Sequence, residues 1–320
     1  MSDQDSLFDL KEYTLNSEEK KVKLTERFIV PPFSVFDTRQ GYWQERKRKW
    51  IELGIKSETG RDQTLTYGET EGETFFSGIV ADRGGGISIF DPVLCELVYK
   101  WFCPENGIVI DPFSGGSVRG IVAHILGHKY YGIDLNKEQI DANNKQADEI
   151  IPNNKPNWYN GDSKDIYTIL PKGIEADFIL TCPPYYDLEQ YSINVKDLSN
   201  MTWYSFKTVY DDILYKTCQL LKPNRFACIV ISEVRDSKGL YRGLVPYTIL
   251  SMTEHCYMQY YNEIILVNSV GSLPVRIVRQ FNSGRKVGRV HQNILIFYKG
   301  NSQDVGKYFK ELNFAETRTD

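Results

Sequence analysis

Three runs of the chain hold residue types whose order suggests chemistry. Asp111-Pro-Phe-Ser-Gly-Gly-Ser117 puts a carboxylate ahead of a glycine-rich turn. Glycines there let the backbone approach a ligand closely, and a helix starting after the turn presents unpaired N–H groups to it. Asp134 follows 23 residues later. A carboxylate in that place can accept hydrogen bonds from the hydroxyls of a ribose. These two features form a nucleoside-binding pattern common to many folds, and each also suits a plain turn or a helix cap. Thr181-Cys-Pro-Pro-Tyr-Tyr186 is more particular. Consecutive prolines stiffen a turn and fix where its carbonyls point. Tyr185 then offers a flat face beside rigid acceptors, a setting suited to a planar base with an exocyclic amine.

The elements that must hold these runs alternate. Gly107-Ile-Val-Ile-Asp111, His128–Asp134, Ala176–Thr181 and Arg225–Ile231 read as apolar strands. Leu94–Phe102, Val118–Leu126, Lys137–Glu149 and Trp203–Leu221 read as helices between them. A helix near 246–257 precedes two final strands, Tyr261–Val267 and Asn293–Tyr298, joined by an oversized hairpin connection. The expected fold is α/β, a doubly wound and mostly parallel sheet ending in an antiparallel hairpin. Such sheets bind ligands at the carboxyl ends of their strands, where all three runs fall. Ahead of this, Val30–Asp37 looks extended and Gly41–Gly54 reads as a short helix ended by glycine. Residues 1–25 read as a polar arm, and Gly84-Gly-Gly86 as a joint. The organisation expected is an N-terminal extension over 1–86, a main domain over 87–300 and a tail over 301–320.

At these residues the chain resembles the DNA amino-methyltransferases, which use S-adenosylmethionine to methylate adenine N6 or cytosine N4. Asp111, Phe113, Gly115 and Gly116 stand in a run that looks like the family's cofactor motif Asp-Pro-Phe-x-Gly-x-Gly, with Ser117 where the second glycine is usual. Asp134 matches the acid that holds the cofactor ribose, and Asp162 falls where the family places a residue near the adenine. Phe90, in Ser88-Ile-Phe-Asp-Pro92, resembles the segment that closes over the methionine end. Thr181-Cys182-Pro183-Pro184-Tyr185 is similar to the catalytic Asp/Asn/Ser-Pro-Pro-Tyr motif, with Thr181 on the cofactor side and Cys182 in the unusual first place. The resemblance covers about 88–300 and implies a Rossmann-like methyltransferase sheet, in the subgroup whose cofactor motif comes first. It implies duplex DNA as the partner, with the target base flipped out onto Tyr185, as in restriction-modification enzymes.

The implied chemistry asks for little proton transfer. An aromatic amine is a weak nucleophile because its lone pair is delocalised, and acceptors at Cys182 and the Pro183 carbonyl would localise it. Alignment then supplies most of the acceleration. Being small and neutral, Cys182 stands nearer to Ser than to Asp, a slight lean towards cytosine N4. Two alternatives are a pyrimidine C5 methyltransferase with Cys182 as nucleophile, and a catalytically silent DNA-binding protein that keeps the fold.

Charge adds to this reading. The 271–291 connection holds Arg276, Arg279, Arg285, Lys286 and Arg289 and neither Asp nor Glu. A second cluster, Arg46-Lys47-Arg48-Lys49, is flanked by Trp43 and Trp50. Basic residues beside aromatics suit phosphates and bases, so both are expected to touch DNA. The chain as a whole has net charge −4, which excludes a uniformly basic coat but not local patches. At 320 residues, 41% hydrophobic and 25% charged, it has the composition of a globular protein. Six cysteines without a Cys-x-x-Cys pair, and four histidines, give no zinc pattern, so no metal is expected. Cysteines at irregular spacings, an acidic and polar start and no membrane-length apolar run make a reducing cytoplasm the expected location.

Overall fold

Strand residues here alternate between two cores, as period-2 geometry requires of a sheet covered on both faces. A computed structural model of the chain describes residues 30–55, 90–151, 153–186, 196–270 and 273–312. Its strands are β1 (Val35–Asp37), β2 (Ile108–Asp111), β3 (Lys129–Asp134), β4 (Asn157–Asn160), β5 (Ala176–Thr181), β6 (Leu221–Ile231), β7 (Gln259–Val267) and β8 (His291–Lys299). They form one eight-stranded sheet in the order β1-β7-β8-β6-β5-β2-β3-β4. Only β8 runs antiparallel to its neighbours. Along β5, Phe178 and Leu180 enter one core while Ile179 enters the other, and β8 divides Ile294 and Ile296 from Leu295 and Phe297 in the same way.

The helices α1 (Gly41–Glu52), α2 (Pro92–Phe102), α3 (Val118–Ile125) and α4 (Lys137–Ile150) supply the first core; α6 (Trp203–Gln219) and α7 (Leu244–Leu250) supply the second. A single-turn α5 (Ile166–Ile169) leads into β5. The α2 start is set by Pro92 at its first turn and by Asp91, whose carboxylate accepts from Val93 N at 2.9 Å and Leu94 N at 3.3 Å. Thr202 caps α6 and Asn136 caps α4 in the same manner. At Gly120 of α3 a Cβ would lie 2.5 Å from the Trp158 ring, so that residue sets how closely α3 lies on the sheet. No helix among the described residues is long and apolar enough to cross a membrane.

Three expectations change. Residues 35–52 do not stand apart from the main domain: β1 pairs in parallel with β7, and α1 packs on α2. Trp43 and Trp50 are fully buried in the main core. The Arg46 guanidinium donates to Glu96 from Nη2 at 2.6 Å and from Nε at 2.8 Å, and Trp50 Nε1 donates to the same carboxylate at 2.8 Å. Arg46 is only 3% exposed, so this cation is spent inside the fold and presents no face to a phosphate. Lys47 is paired with Asp91 at 3.1 Å. The 271–291 connection, expected to be a long open hairpin, contains a twelve-residue helix, α8 (Leu273–Gly284). The helix near 246–257 is α7 followed by one widened turn over Ser251–His255. The strand β4, beyond β3 at the sheet edge, was not legible as a strand.

Candidate functional site

Between β2 and β5 the strand order reverses, and the chain leaves these two strands in opposite directions along the sheet. A crevice at the carboxyl ends is the geometric consequence. Asp111, Asp134, Thr181 and Ile231 end β2, β3, β5 and β6 along this edge.

Asp111 is fully buried, and its carboxylate holds the glycine turn together. Oδ1 accepts from Phe113 N at 3.1 Å and Thr181 Oγ1 at 2.6 Å. Oδ2 accepts from Arg119 Nε at 2.6 Å and the Tyr130 hydroxyl at 2.7 Å. Arg119 also donates to the carbonyls of Phe113 at 2.7 Å and Ser114 at 2.9 Å. Burial is the largest influence on the Arg119 cation and disfavours it, but the Asp111 charge and hydrogen bond, with Tyr130 and Cys182, together outweigh it and raise the pKa above the ordinary guanidinium value. Asp111 and Thr181 therefore stand behind the binding surface, as its frame. Both were expected to touch a cofactor; their zero exposure assigns them the positioning of the turn instead.

The two glycines of the turn are half-buried, between the buried Ser114 and Ser117. Gly115 has φ +48°, the left-handed region that favours glycine. Its N–H donates to Asp134 Oδ2 at 2.9 Å, and its carbonyl accepts from Asn143 Nδ2 at 2.7 Å. Asn143 accepts from Gln139 at 2.9 Å, and Ser117 Oγ donates to Gln146. Gly116 is half-buried in the turn. Asp134 is half-buried, and its Oδ1 accepts from Asn136 N at 2.8 Å. Asp162 lies beyond β4, where Oδ1 accepts from Lys164 N at 3.0 Å. Its Oδ2 is buried and has no hydrogen-bond partner, with the Lys164 ammonium 3.9 Å away. Phe90 lies under the Arg119 guanidinium at 4.5 Å, and the Phe113 ring faces Tyr210 at 6.2 Å. Ser88 and Ile89 lie outside the described residues.

Past β5 the prolines carry the chain into the crevice. Cys182 is half-buried, with Sγ 3.6 Å from the Tyr185 hydroxyl. That hydroxyl also accepts from Gln292 Nε2 of β8 at 3.1 Å. The Tyr185 ring is 7% exposed, so most of its surface is already against protein. Tyr186 has φ +58° and packs edge-on against Trp203 and Phe206, with the Arg242 guanidinium 4.5 Å over its ring.

Of the basic connection, Arg279 and Arg285 are exposed. Arg285 lies over Phe281 at 5.2 Å. Lys286 is half-buried, and Arg289 is tied back to the His291 carbonyl at 3.2 Å and to Asn293. The side chain of Arg276 lies outside the described residues.

The sequence reading passed over Arg119, Tyr130 and Gln292. It also passed over the polar set Gln139, Asn143 and Gln146 on the buried side of α4. Their spacing was the available signal: residues four and seven apart share a helix face, and polar groups on a buried face need partners. Nothing in β8 marked Gln292, because the contact joins residues 107 apart.

Comparisons with known proteins bear on the first half of this edge. A family model described as DNA methylase, of the N6/N4 methyltransferase type, matches residues 92–145. That segment holds α2, β2, the glycine turn, α3, β3 with Asp134, and the start of α4. Among curated proteins the chain is similar to the type II methyltransferase M.HinfI of Haemophilus influenzae, at 34% identity over 113 residues, 32% of either chain. The chain thus spans about a third of the length of that relative. Among solved structures, TrmN from Thermus thermophilus aligns with a TM-score of 0.44 at 16% identity, over 66% of this chain and 49% of that one. A putative rRNA-methylase from Clostridium thermocellum aligns with 0.43 at 11%, over 67% and 100%.

Proposed function

We propose that this chain is a DNA amino-methyltransferase, which moves a methyl group from S-adenosylmethionine to the exocyclic amine of a base turned out of the duplex, cytosine N4 or adenine N6. The observation that supports it is the convergence of the glycine turn, Asp134, Asp162 and the Cys182–Tyr185 turn on one crevice at the strand-order reversal. The DNA methylase match over 92–145 agrees with the cofactor half of that crevice.

The residues present fit this cofactor. The half-buried Asp134 carboxylate at the end of β3 suits ribose hydroxyls, being held beside the glycine turn by the Gly115 and Asn136 backbone N–H groups. Asp162 Oδ2 is a buried acceptor without a hydrogen bond, which the amine of the cofactor's adenine would satisfy. Phe90, under Arg119, would border the methionine end. When bound, S-adenosylmethionine would supply a methyl group on a positively charged sulfur: as the amine nitrogen takes the methyl carbon, the sulfur would leave as a neutral thioether, and the amine would release one proton to solvent.

The chain's part is to place the amine. Pro183 and Pro184 hold the carbonyls of the 182–185 turn in fixed directions, so the amine meets acceptors that need no reorganisation. Cys182 adds a sulfur lone pair, and the Tyr185 hydroxyl 3.6 Å away restrains its position. Gln292 in turn restrains Tyr185 from β8. Alignment of amine and methyl group is then the main source of rate. The exposed Arg279 and Arg285 suit phosphates flanking the base.

Incubation with duplex DNA and methyl-labelled cofactor, followed by digestion to nucleosides, tests this. Label is expected in N4-methylcytosine or N6-methyladenine. Label in 5-methylcytosine, or none despite cofactor and DNA binding, would replace this reading with one of the two alternatives.

A further inference from the structure

After β6 the chain forms a short finger that the site residues do not include. Arg235 and Tyr241 bridge its two sides. Asp236 N donates to the Leu240 carbonyl and Gly239 N to the Asp236 carbonyl, both at 2.8 Å. The Asp236 carboxylate accepts from Lys238 N at 3.0 Å and Leu240 N at 2.9 Å, and Gly239 takes φ +79° at the bend. The finger is therefore pinned by its own hydrogen bonds. Its tip nevertheless leaves Leu240 63% and Tyr241 45% exposed.

Two contacts fix its place. At the root, the Arg242 guanidinium lies 4.5 Å over the ring of Tyr186, which directly follows Tyr185. On the flank, a Cβ at Gly239 would collide with the Lys286 ammonium, so the Lys286 side chain rests against the finger backbone. The finger thus stands between the Cys182–Tyr185 turn and the acid-free 271–291 connection. It adds Arg235, Lys238 and Arg242 against the single acid Asp236. In a chain of net charge −4, basic residues gathered from two separate segments beside one crevice form a field complementary to phosphate. Exposed apolar side chains amid such charge match a duplex, which offers base steps beside its backbone.

We propose that the finger over 235–241 is a second DNA-contacting element, with Lys238 on a backbone phosphate and Leu240 entering the duplex beside the extruded base. The proposal rests on the DNA reading above. It adds a contact on the β6 side of the crevice, beside the one expected from α8 and the residues after it.

Binding of the full chain to a 30-base-pair duplex, followed by fluorescence anisotropy across salt concentrations, tests it. Lys238→Gln should lower the log–log salt slope by about 0.9, the value of one phosphate contact. Leu240→Ala should keep the slope and weaken binding at least threefold. Lys172→Gln, an equal charge change at the amino end of β5, should alter neither. An unchanged slope for Lys238→Gln in a protein that binds duplex DNA would overturn the finger while sparing the DNA reading. So would an equal slope change for Lys172→Gln. A wild-type chain that binds no duplex DNA, or binds duplex RNA equally well, would overturn both.

Discussion

Asp111 and Asp134 carry the same side chain to neighbouring strand ends, yet their surroundings give them opposite work. Asp111 is fully buried and engaged by Phe113, Thr181, Arg119 and Tyr130, whereas Asp134 is half-buried and accepts from the backbone of Gly115 and Asn136. Asp134→Ala should weaken S-adenosylmethionine binding by about tenfold or more, since hydrogen bonds to a charged group contribute roughly 1.5–3 kcal/mol each. Calorimetry reads this, and unchanged affinity would remove the ribose role. Asp134→Asn, which keeps one acceptor for Gly115 N, should fall between the two and guards against mere loosening of the turn. At Cys182 the same logic separates two chemistries. Cys182→Ser should retain substantial activity, because a hydroxyl oxygen accepts at least as well as a thiol. A covalent nucleophile would not survive that change, since a serine hydroxyl is far less ionised than a cysteine thiol. A serine variant that binds cofactor and DNA but transfers no methyl group would sink the amine reading.

Elements decide which charges are available to a partner. The run Arg46–Lys49 looked like a nucleic-acid contact beside two tryptophans, but α1 turns Arg46, Trp43 and Trp50 inward against α2. Burial alone would raise the Glu96 pKa; the hydrogen bond from Arg46 and the Lys100 and Arg46 charges hold it below the usual carboxylate value. Removing one partner of such a pair leaves a buried charge uncompensated. Arg46→Ala should therefore lower the urea midpoint by an amount equivalent to about 3–5 kcal/mol. The folded fraction should bind DNA with an unaltered salt slope. A variant with wild-type stability and a shallower slope would return Arg46 to the DNA interface.

The whole molecule also sets a pH limit on stability. His128 is 7% exposed, packed against the Tyr99 ring at 5.5 Å, with its Nδ1 3.6 Å from Cys103 Sγ. Burial lowers its pKa from 6.5 to about 4, against a smaller opposing effect of Asp177. Between those values the unfolded chain binds a proton that the folded chain does not. Stability from this group is thus full above pH 6.5 and is lost as pH falls towards 4, below which no further loss accrues. At roughly 1.4 kcal/mol per unit the upper bound is about 3.5 kcal/mol. Thermal melts should show Tm falling across this window, with a flatter profile in His128→Gln. A profile unchanged by that substitution would assign the loss to other groups.

The sequence by itself determined the α/β alternation, the glycine turn, Asp134 and the Pro-Pro-Tyr turn, because each is written in consecutive residues whose backbone preferences are local. Apolar runs on β2, β5 and β6 announced strands covered on both faces, and the turns between them followed. What only the tertiary structure decided were pairings between distant residues. Arg46 meets Glu96 across 50 positions, and Gln292 reaches Tyr185 across 107. A basic side chain reads the same in sequence whether it faces solvent or a buried carboxylate. Likewise, β1 has only three residues, and its edge place beside β7 exists through register with a strand some 230 positions later. Local preference fixes elements; the desolvation of charges and the order of strands arise when the chain closes on itself.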